Sequence, residues 1–410
     1  MSNPGDTPIR ELGASIRASK VPPFYVMEVM KAATAREKQG EKVLHMEVGQ
    51  PSTGAPAGAL EAAQSCLASS AAGTDTLGYT LASGTAELRA RIARHYEHRY
   101  AVQVSEESIV ITTGSSAGFV LSFLACFESG DRVAIAAPGY PCYRNILEAL
   151  GVTVVTLPVD ASTNFQPTPA HLEQAAKEGP LRGLVVASPS NPTGTVLTKQ
   201  ELFALQAWCL KSNVWFISDE IYHQIEYGEE RATTALEGEN ASKNTVVINS
   251  FSKYHCMTGW RVGWVVVPEK LLSSMVALQQ NLFINAPTIS QHAAAAAFDC
   301  DEELLKHVER YRLNRQILLE GLPVAGFSKL SSAGGGFYIY ADVSNLGGDS
   351  VALCKRILET TGVALTPGVD FDRERGARFL RFSFCGSTDC CREVVRLLQT
   401  DRRWLAPAGE

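Results

Sequence analysis

Between about residues 105 and 270 the chain alternates short runs rich in Val and Ile with longer segments of helical pattern. The runs are SIVITT (108–113), RVAIAAP (132–138), VTVVTLPV (152–159), GLVVASP (183–189), VWFISDE (214–220), TVVINS (245–250) and GWVVVP (263–268). They lack the period-two alternation of a sheet with one wet face. Continuous apolarity over so few residues describes strands covered on both faces, as in a mostly parallel sheet between layers of helices. Segments 117–127 and 198–210 supply crossover helices between them.

After residue 286 the style changes. A long amphipathic segment (about 302–322) precedes three separated strand-like runs, GFYIYADV (336–343), GVALTPG (362–368) and ARFLRFSF (377–384). This is the pattern of an α+β unit. The first fifty residues carry one apolar run, KVLHMEVG (42–49), expected to pack against both parts. The expected organisation is a segment 1–51 that joins the smaller domain and the site entrance, a large α/β domain 52–295, and a small domain 296–410. The AAAAA at 293–297 belongs to a helix, where alanine is the best former.

A chain of 410 residues with 45% hydrophobic composition can build a core of that size. A net charge of -6 without a basic block argues against nucleic acid as a partner. The first twenty residues are polar with no secretory h-region, and no apolar run is long enough to span a bilayer. The ten cysteines, with one adjacent pair at Cys390 and Cys391, form neither CxxC pairs nor zinc-spaced clusters. Reduced thiols in a cytoplasmic protein and no metal are the expectation.

In an open α/β sheet, ligands bind beyond the carboxyl ends of the strands. Five unusual clusters fall there: TTGSSAG (112–118), PGYPCY (138–143), SPSNPTG (188–194), SDEIY (218–222) and INSFSKYHCMTGWRVGW (248–264). TGSSAG opening a helix is a ready anion cradle, and equally an ordinary N-cap. Asp219 ends a buried strand, where a carboxylate is costly without a cation or strong donor beside it; a helix cap is the bland alternative. Tyr222 suits a core or rim aromatic, and Asn191 before Pro192 suits simple turn chemistry. Arg261 can pair with a carboxylate or with an anion held at GSSA, and Arg381, inside FLRFSF, with a neighbour or a bound carboxylate. Neither GxGxxG nor a Walker lysine is present, which leaves the nucleotide reading weak and removes the nicotinamide dehydrogenase one.

Together these blocks resemble the class I/II pyridoxal-phosphate-dependent aminotransferases of fold type I, which are aspartate aminotransferase-like. The resemblance runs from MEVGQPS to RFSF. It is carried by SFSKYHCMTGWRVG, with GYTLASGTAELR, SPSNPTG, SDEIY and GGGFYIYADVS in family order. It implies a large domain with a mostly parallel seven-stranded sheet plus a smaller α+β domain. It implies an aminotransferase that moves the amino group of an L-amino acid to a 2-oxo acid by a ping-pong mechanism. Lys253 would carry the Schiff base to pyridoxal 5'-phosphate, and Asp219 would meet the pyridine nitrogen. Tyr222 and Asn191 would bond the phenolic oxygen, and Tyr140 would stack on the ring. Ser115, Ser116, Ala117, Ser250 and Arg261 would hold the phosphate, reached also by Tyr79 of a partner in a homodimer. Arg381 would clamp the substrate carboxylate, with the Gly49 backbone and Asn191 nearby.

Dicarboxylate specialists of the family add a basic group, in some bacterial aspartate enzymes a lysine in the loop matching TGSSAG. Ser116 stands there in this chain. Phe24 and Tyr25, in a region that lines the pocket in relatives, point to a neutral or aromatic donor; core packing is the alternative, and aspartate stays open. A C–S lyase working by β-elimination would use the same groups. A binding or regulatory protein on this fold fits poorly with an intact set of Lys253, Asp219, Tyr222 and Arg261. His255 and Cys256 flank Lys253 without an evident task.

Overall fold

The computed structural model describes residues 13–19, 21–74 and 76–405. Residues 1–12, part of the segment assigned above to the smaller domain, lie outside the described residues. The first strand, β1 (Leu44–His45), is two residues long, far shorter than the KVLHMEVG run.

Every one of the seven apolar runs forms a strand of one sheet. They are β2 (Ile109–Thr112), β3 (Arg132–Ala137), β4 (Thr153–Pro158), β5 (Gly183–Ala187), β6 (Trp215–Asp219), β7 (Thr245–Ser250) and β8 (Gly263–Val266). Their order is β2-β8-β7-β6-β5-β3-β4. The pairs from β7 to β4 are parallel, while β8 runs antiparallel to both β2 and β7.

The continuous apolarity has its explanation in two cores. Ile109, Ile111, Leu184, Val186, Trp264 and Val266 enter the core shared with the helices Ala57–Ala71, Ala86–Tyr100, Lys199–Lys211 and Thr288–Ala297. Their sequence neighbours Val110, Val185 and Val265 enter another, shared with Gly114–Cys126, Pro141–Ala149 and Glu269–Leu282. Successive strand residues point to opposite faces, and here both faces are dry.

A second, antiparallel sheet has the order β12-β13-β10-β9, from β9 (Lys329–Leu330), β10 (Tyr338–Asp342), β12 (Thr366–Pro367) and β13 (Phe379–Ser383). The run GVALTPG, expected as one strand, is divided. Its first part, β11 (Val363–Ala364), pairs in parallel with β1, and only β12 joins the sheet through β13. Pro367 has no N–H to extend that pairing. A third core, with Tyr311, Phe337, Phe382 and Trp404, sits around this sheet and the long helix Asp301–Ala325. Among the described residues no helix is long and apolar enough to cross a membrane, and none of the ten cysteines forms a disulfide.

Candidate active site

The carboxyl ends of β2, β6 and β7 open on a cavity of about 340 Å³, closed from the other side by residues 24–30, 47–50 and by β10 and β13. Lys253 lies on the loop after β7. Its Nζ donates to the Gly49 carbonyl at 2.7 Å. Burial holds this amine down at about 8; the charges of Arg381 and Arg261 act in the same direction, the Cys385 thiol and Asp219 against it.

Asp219, at the end of β6, is 4% exposed. Its Oδ1 accepts from the Ile221 N–H at 3.1 Å and its Oδ2 from the Tyr143 hydroxyl. Burial pushes the carboxyl up to about 6, and those two bonds resist the shift. Tyr143 follows Tyr140 by three residues at the start of the helix Pro141–Ala149, and the two rings meet edge to face at 5.4 Å.

Arg261 takes a left-handed backbone, φ +52°, and donates from Nη1 to the Thr258 carbonyl at 3.1 Å. No carboxylate pairs with it among the described residues. Its guanidinium lies across Gly114, where a Cβ would stand 2.3 Å from Nη2, so glycine leaves the room that brings it to the first turn of Gly114–Cys126. Ser115 and Ser116 of that turn line the cavity beside it.

Arg381, on β13, is 5% exposed and held between Tyr338 (4.5 Å) and Phe371 (4.8 Å). Nη1 donates to Asn191 Oδ1 at 2.9 Å; Nη2 donates to the Glu47 carbonyl and to Thr366 Oγ1 at 3.2 Å. Its Nε is buried without a partner. The hydroxyls of Tyr222 and Tyr338 share a bond of 2.8 Å. A Cβ on Gly49 would fall 1.7 Å from the Tyr338 hydroxyl, which is why that segment can lie so close.

Lys253, Asp219, Tyr222, Ser115, Ser116, Tyr140, Asn191, Arg261, Arg381 and Gly49 therefore line one cavity. Three residues of the expected set do not, one of them, Tyr79, having been expected at a partner's cavity and not at its own. Ala117 is buried beneath its helix. The Ser250 hydroxyl is spent on Ser252 Oγ (2.9 Å) and the Val262 carbonyl (3.1 Å), and Ser252 faces the cavity in its stead. Tyr79 is 87% exposed and stands outside. Of the two N-terminal aromatics, Phe24 lines the cavity while Tyr25 is half exposed and does not. His255 is buried against Phe251 (4.7 Å), with burial driving its ring down to about 3; neither it nor Cys256 lines the cavity.

Sequence reading missed Tyr143, Ser252 and Tyr338. Tyr143 had a usable signal, one helical turn beyond Tyr140; nothing local says that its hydroxyl meets Asp219.

The donor set divides by position. Arg261, two serines and a helix N-terminus suit a phosphate-type dianion. Asp219 suits a protonated ring nitrogen, and Arg381, with its open Nε, a carboxylate. Lys253, a cation with no acid bonded to it, has an amine partly neutral near pH 7.

Residues 41–398 match the sequence profile of the family described as aminotransferase class I and II. Over 379 residues the chain is 47% identical to the valine–pyruvate aminotransferase of Mycobacterium tuberculosis, covering 92% of this chain and 95% of that protein. It is 32% identical over 381 residues to an aspartate aminotransferase of Thermotoga maritima, covering 93% and 97%. A crystal structure of an aminotransferase from Mycobacterium tuberculosis superposes with a TM-score of 0.90 at 46% identity, covering 95% and 98%.

Proposed function

The chain belongs to the class I and II aminotransferases, and from that premise we propose that it transfers the amino group of an apolar, uncharged L-amino acid to a small 2-oxo acid, with pyridoxal 5'-phosphate held in the cavity. One observation carries the reading: a single cavity holds Lys253, Arg261 and Arg381, none bonded to an acid among the described residues, around the buried Asp219. When bound, pyridoxal phosphate supplies an aldehyde that takes up the donor amine, a ring that accepts the electron pair freed at Cα, and a place for the amino group between the two half-reactions of a ping-pong cycle.

The chain's own groups do the rest. Arg261, Ser115, Ser116 and Ser252 hold the phosphate. Asp219, aimed by Tyr143 and the Ile221 N–H, keeps a proton on the ring nitrogen. Tyr140 would cover the ring, and Tyr222 and Asn191 would serve its phenolic oxygen. Arg381 orients the donor through its α-carboxylate, and Lys253 takes the proton from Cα.

Two observations favour an apolar donor. Phe24, Val26, Met27 and Met30 form the adjoining wall, and the cavity lining holds no cation beyond Lys253, Arg261 and Arg381, whose roles above leave none for a second carboxylate. The name of the 47% identical relative, valine–pyruvate aminotransferase, agrees with that choice over aspartate. On the same reading residues 52–295 form the cofactor-binding domain, and the described parts of 1–51 and 296–410 the smaller one. The exposed Tyr79, Leu81, Leu282 and Ile284 favour a homodimer in which Tyr79 serves the second copy's site. A cytoplasmic enzyme with reduced thiols fits the cysteine pattern.

The test is a panel of amino acids given to the cofactor-loaded protein, following its visible absorbance with and without pyruvate. Valine and alanine should bleach it, and pyruvate should restore it. Release of ammonia and a 2-oxo acid without any acceptor would make it a lyase instead, and aspartate as the best donor would overturn the apolar class.

A further inference from the structure

The helix Tyr25–Lys38 is capped from the far end of the chain. Its N-cap residue, Phe24, offers no side-chain acceptor, and residues 22 and 23 are prolines. The first amides of a helix need acceptors from outside it. Asp370 provides them: Oδ1 accepts from the Tyr25 N–H at 3.1 Å and Oδ2 from the Val26 N–H at 3.2 Å. One carboxylate thus serves two consecutive amides and sits where negative charge suits the helix dipole. Asp370 is itself buried, in the short turn Gly368–Asp370. The residue after it, Phe371, lies against the guanidinium of Arg381 at 4.8 Å.

The position of this helix matters because Val26, Met27 and Met30, with Phe24 before them, line the cavity. Val29 packs against the cluster of Ala33, Leu358 and Ala364, and the remaining attachments lie further along. Ala33 packs with Leu358 and Ala364, Arg36 donates to the Glu359 carbonyl at 3.4 Å, and Glu37 meets His45 at 3.1 Å. The wall residues Phe24, Val26 and Met27 precede all of those anchors, and Met30 follows only Val29. Among the described residues no other side chain accepts from the first turn.

We propose that Asp370 is the positioning residue that fixes this helix as the wall against the donor's side chain. The turn that carries it thereby sets both ends of the substrate site: the wall through Asp370, and the carboxylate grip through Phe371 beneath Arg381. The inference rests on the apolar-donor reading above and selects for side-chain size. A donor that leans on the wall depends on Asp370, and one too short to reach it does not.

The experiment uses the cofactor-loaded enzyme with Asp370→Ala and Asp370→Asn, the second keeping the shape and one acceptor oxygen. Loss of a cap is felt as local opening, so amide hydrogen exchange over 25–31 should quicken about tenfold in the Ala variant and less in the Asn variant, with 245–250 unchanged. The ratio of kcat/KM for valine to that for alanine should fall by about the same factor, since only the larger side chain meets the wall. Unchanged exchange over 25–31 would overturn the proposal. So would an equal loss for both donors, which would place the effect of Asp370 in the charge it presents to Arg381 and Arg144. If the Ala variant does not fold, the Asn variant carries the same two readings. Should the wild type move no amino group at all, the functional reading fails, and the exchange measurement still decides the role of Asp370.

Discussion

Arg381 and Asn191, 190 residues apart in the chain, are joined by a hydrogen bond of 2.9 Å at the cavity wall. Asn191 follows β5 of the large sheet and Arg381 sits on β13 of the small one, so the bond ties the two sheets together at the site. With Nη2 bonded to the Glu47 carbonyl and to Thr366 Oγ1, the guanidinium has a fixed orientation. Replacing it with lysine keeps the charge and loses the fork. Two charge-assisted hydrogen bonds at stake correspond to a fall of about 100-fold in kcat/KM for every donor. Steady-state kinetics check this, and a change confined to one donor would contradict a carboxylate role.

Lys253 must be neutral to capture an aldehyde. With its amine held at about 8, uptake of pyridoxal phosphate by stripped protein should speed up about tenfold per pH unit below pH 8 and level off above it. Stopped-flow absorbance reads the profile; a rate independent of pH between 6 and 8 would place the reacting group elsewhere. Lys253→Ala should take up no cofactor covalently and lose transfer by about 10⁴-fold or more.

Asp219 trades stability for chemistry. Its folded carboxyl titrates near 6 against an ordinary 3.8, so the folded state holds the extra proton between those values. Stability contributed there is lost as pH rises through about 6, and the buried charge is a full cost above it. Asp219→Asn should therefore raise the stability of the cofactor-free protein by about 1–3 kcal/mol at pH 8 and leave it nearly unchanged near pH 3.5. Denaturant titration at the two pH values measures this. Transfer should fall by about 10²- to 10³-fold in the same variant.

Gly114 is left-handed, φ +72°, and touches the Arg261 guanidinium. In Gly114→Ala the new methyl group needs the space of Nη2, so Arg261 must leave its place while the backbone is strained. Cofactor affinity should drop about tenfold or more, equivalent to 1.4 kcal/mol or more, by equilibrium dialysis. Unaltered affinity would remove Arg261 from the phosphate site.

Much of the scaffold was legible because its signals are local. A run such as GLVVASP is apolar at every position since Leu184 and Val186 face one core and Val185 the other. Lys253 and Arg261 fall at one sheet edge because both follow strand β7 within a single loop. One placement that no local signal carries has a physical cause too. Ser250 looked like a cavity hydroxyl, but the strand end turns it onto Ser252 and Val262.

The sequence by itself determined the alternation of strands and helices, the edge at which the polar clusters gather, and the family chemistry they imply, because period and loop position are properties of neighbouring residues. Only the tertiary structure decided that Tyr143 bonds Asp219, that Tyr338 meets Tyr222, and that Asp370 caps a helix 345 residues away. Each of those contacts depends on how two distant segments pack, and no local pattern carries the distance between them.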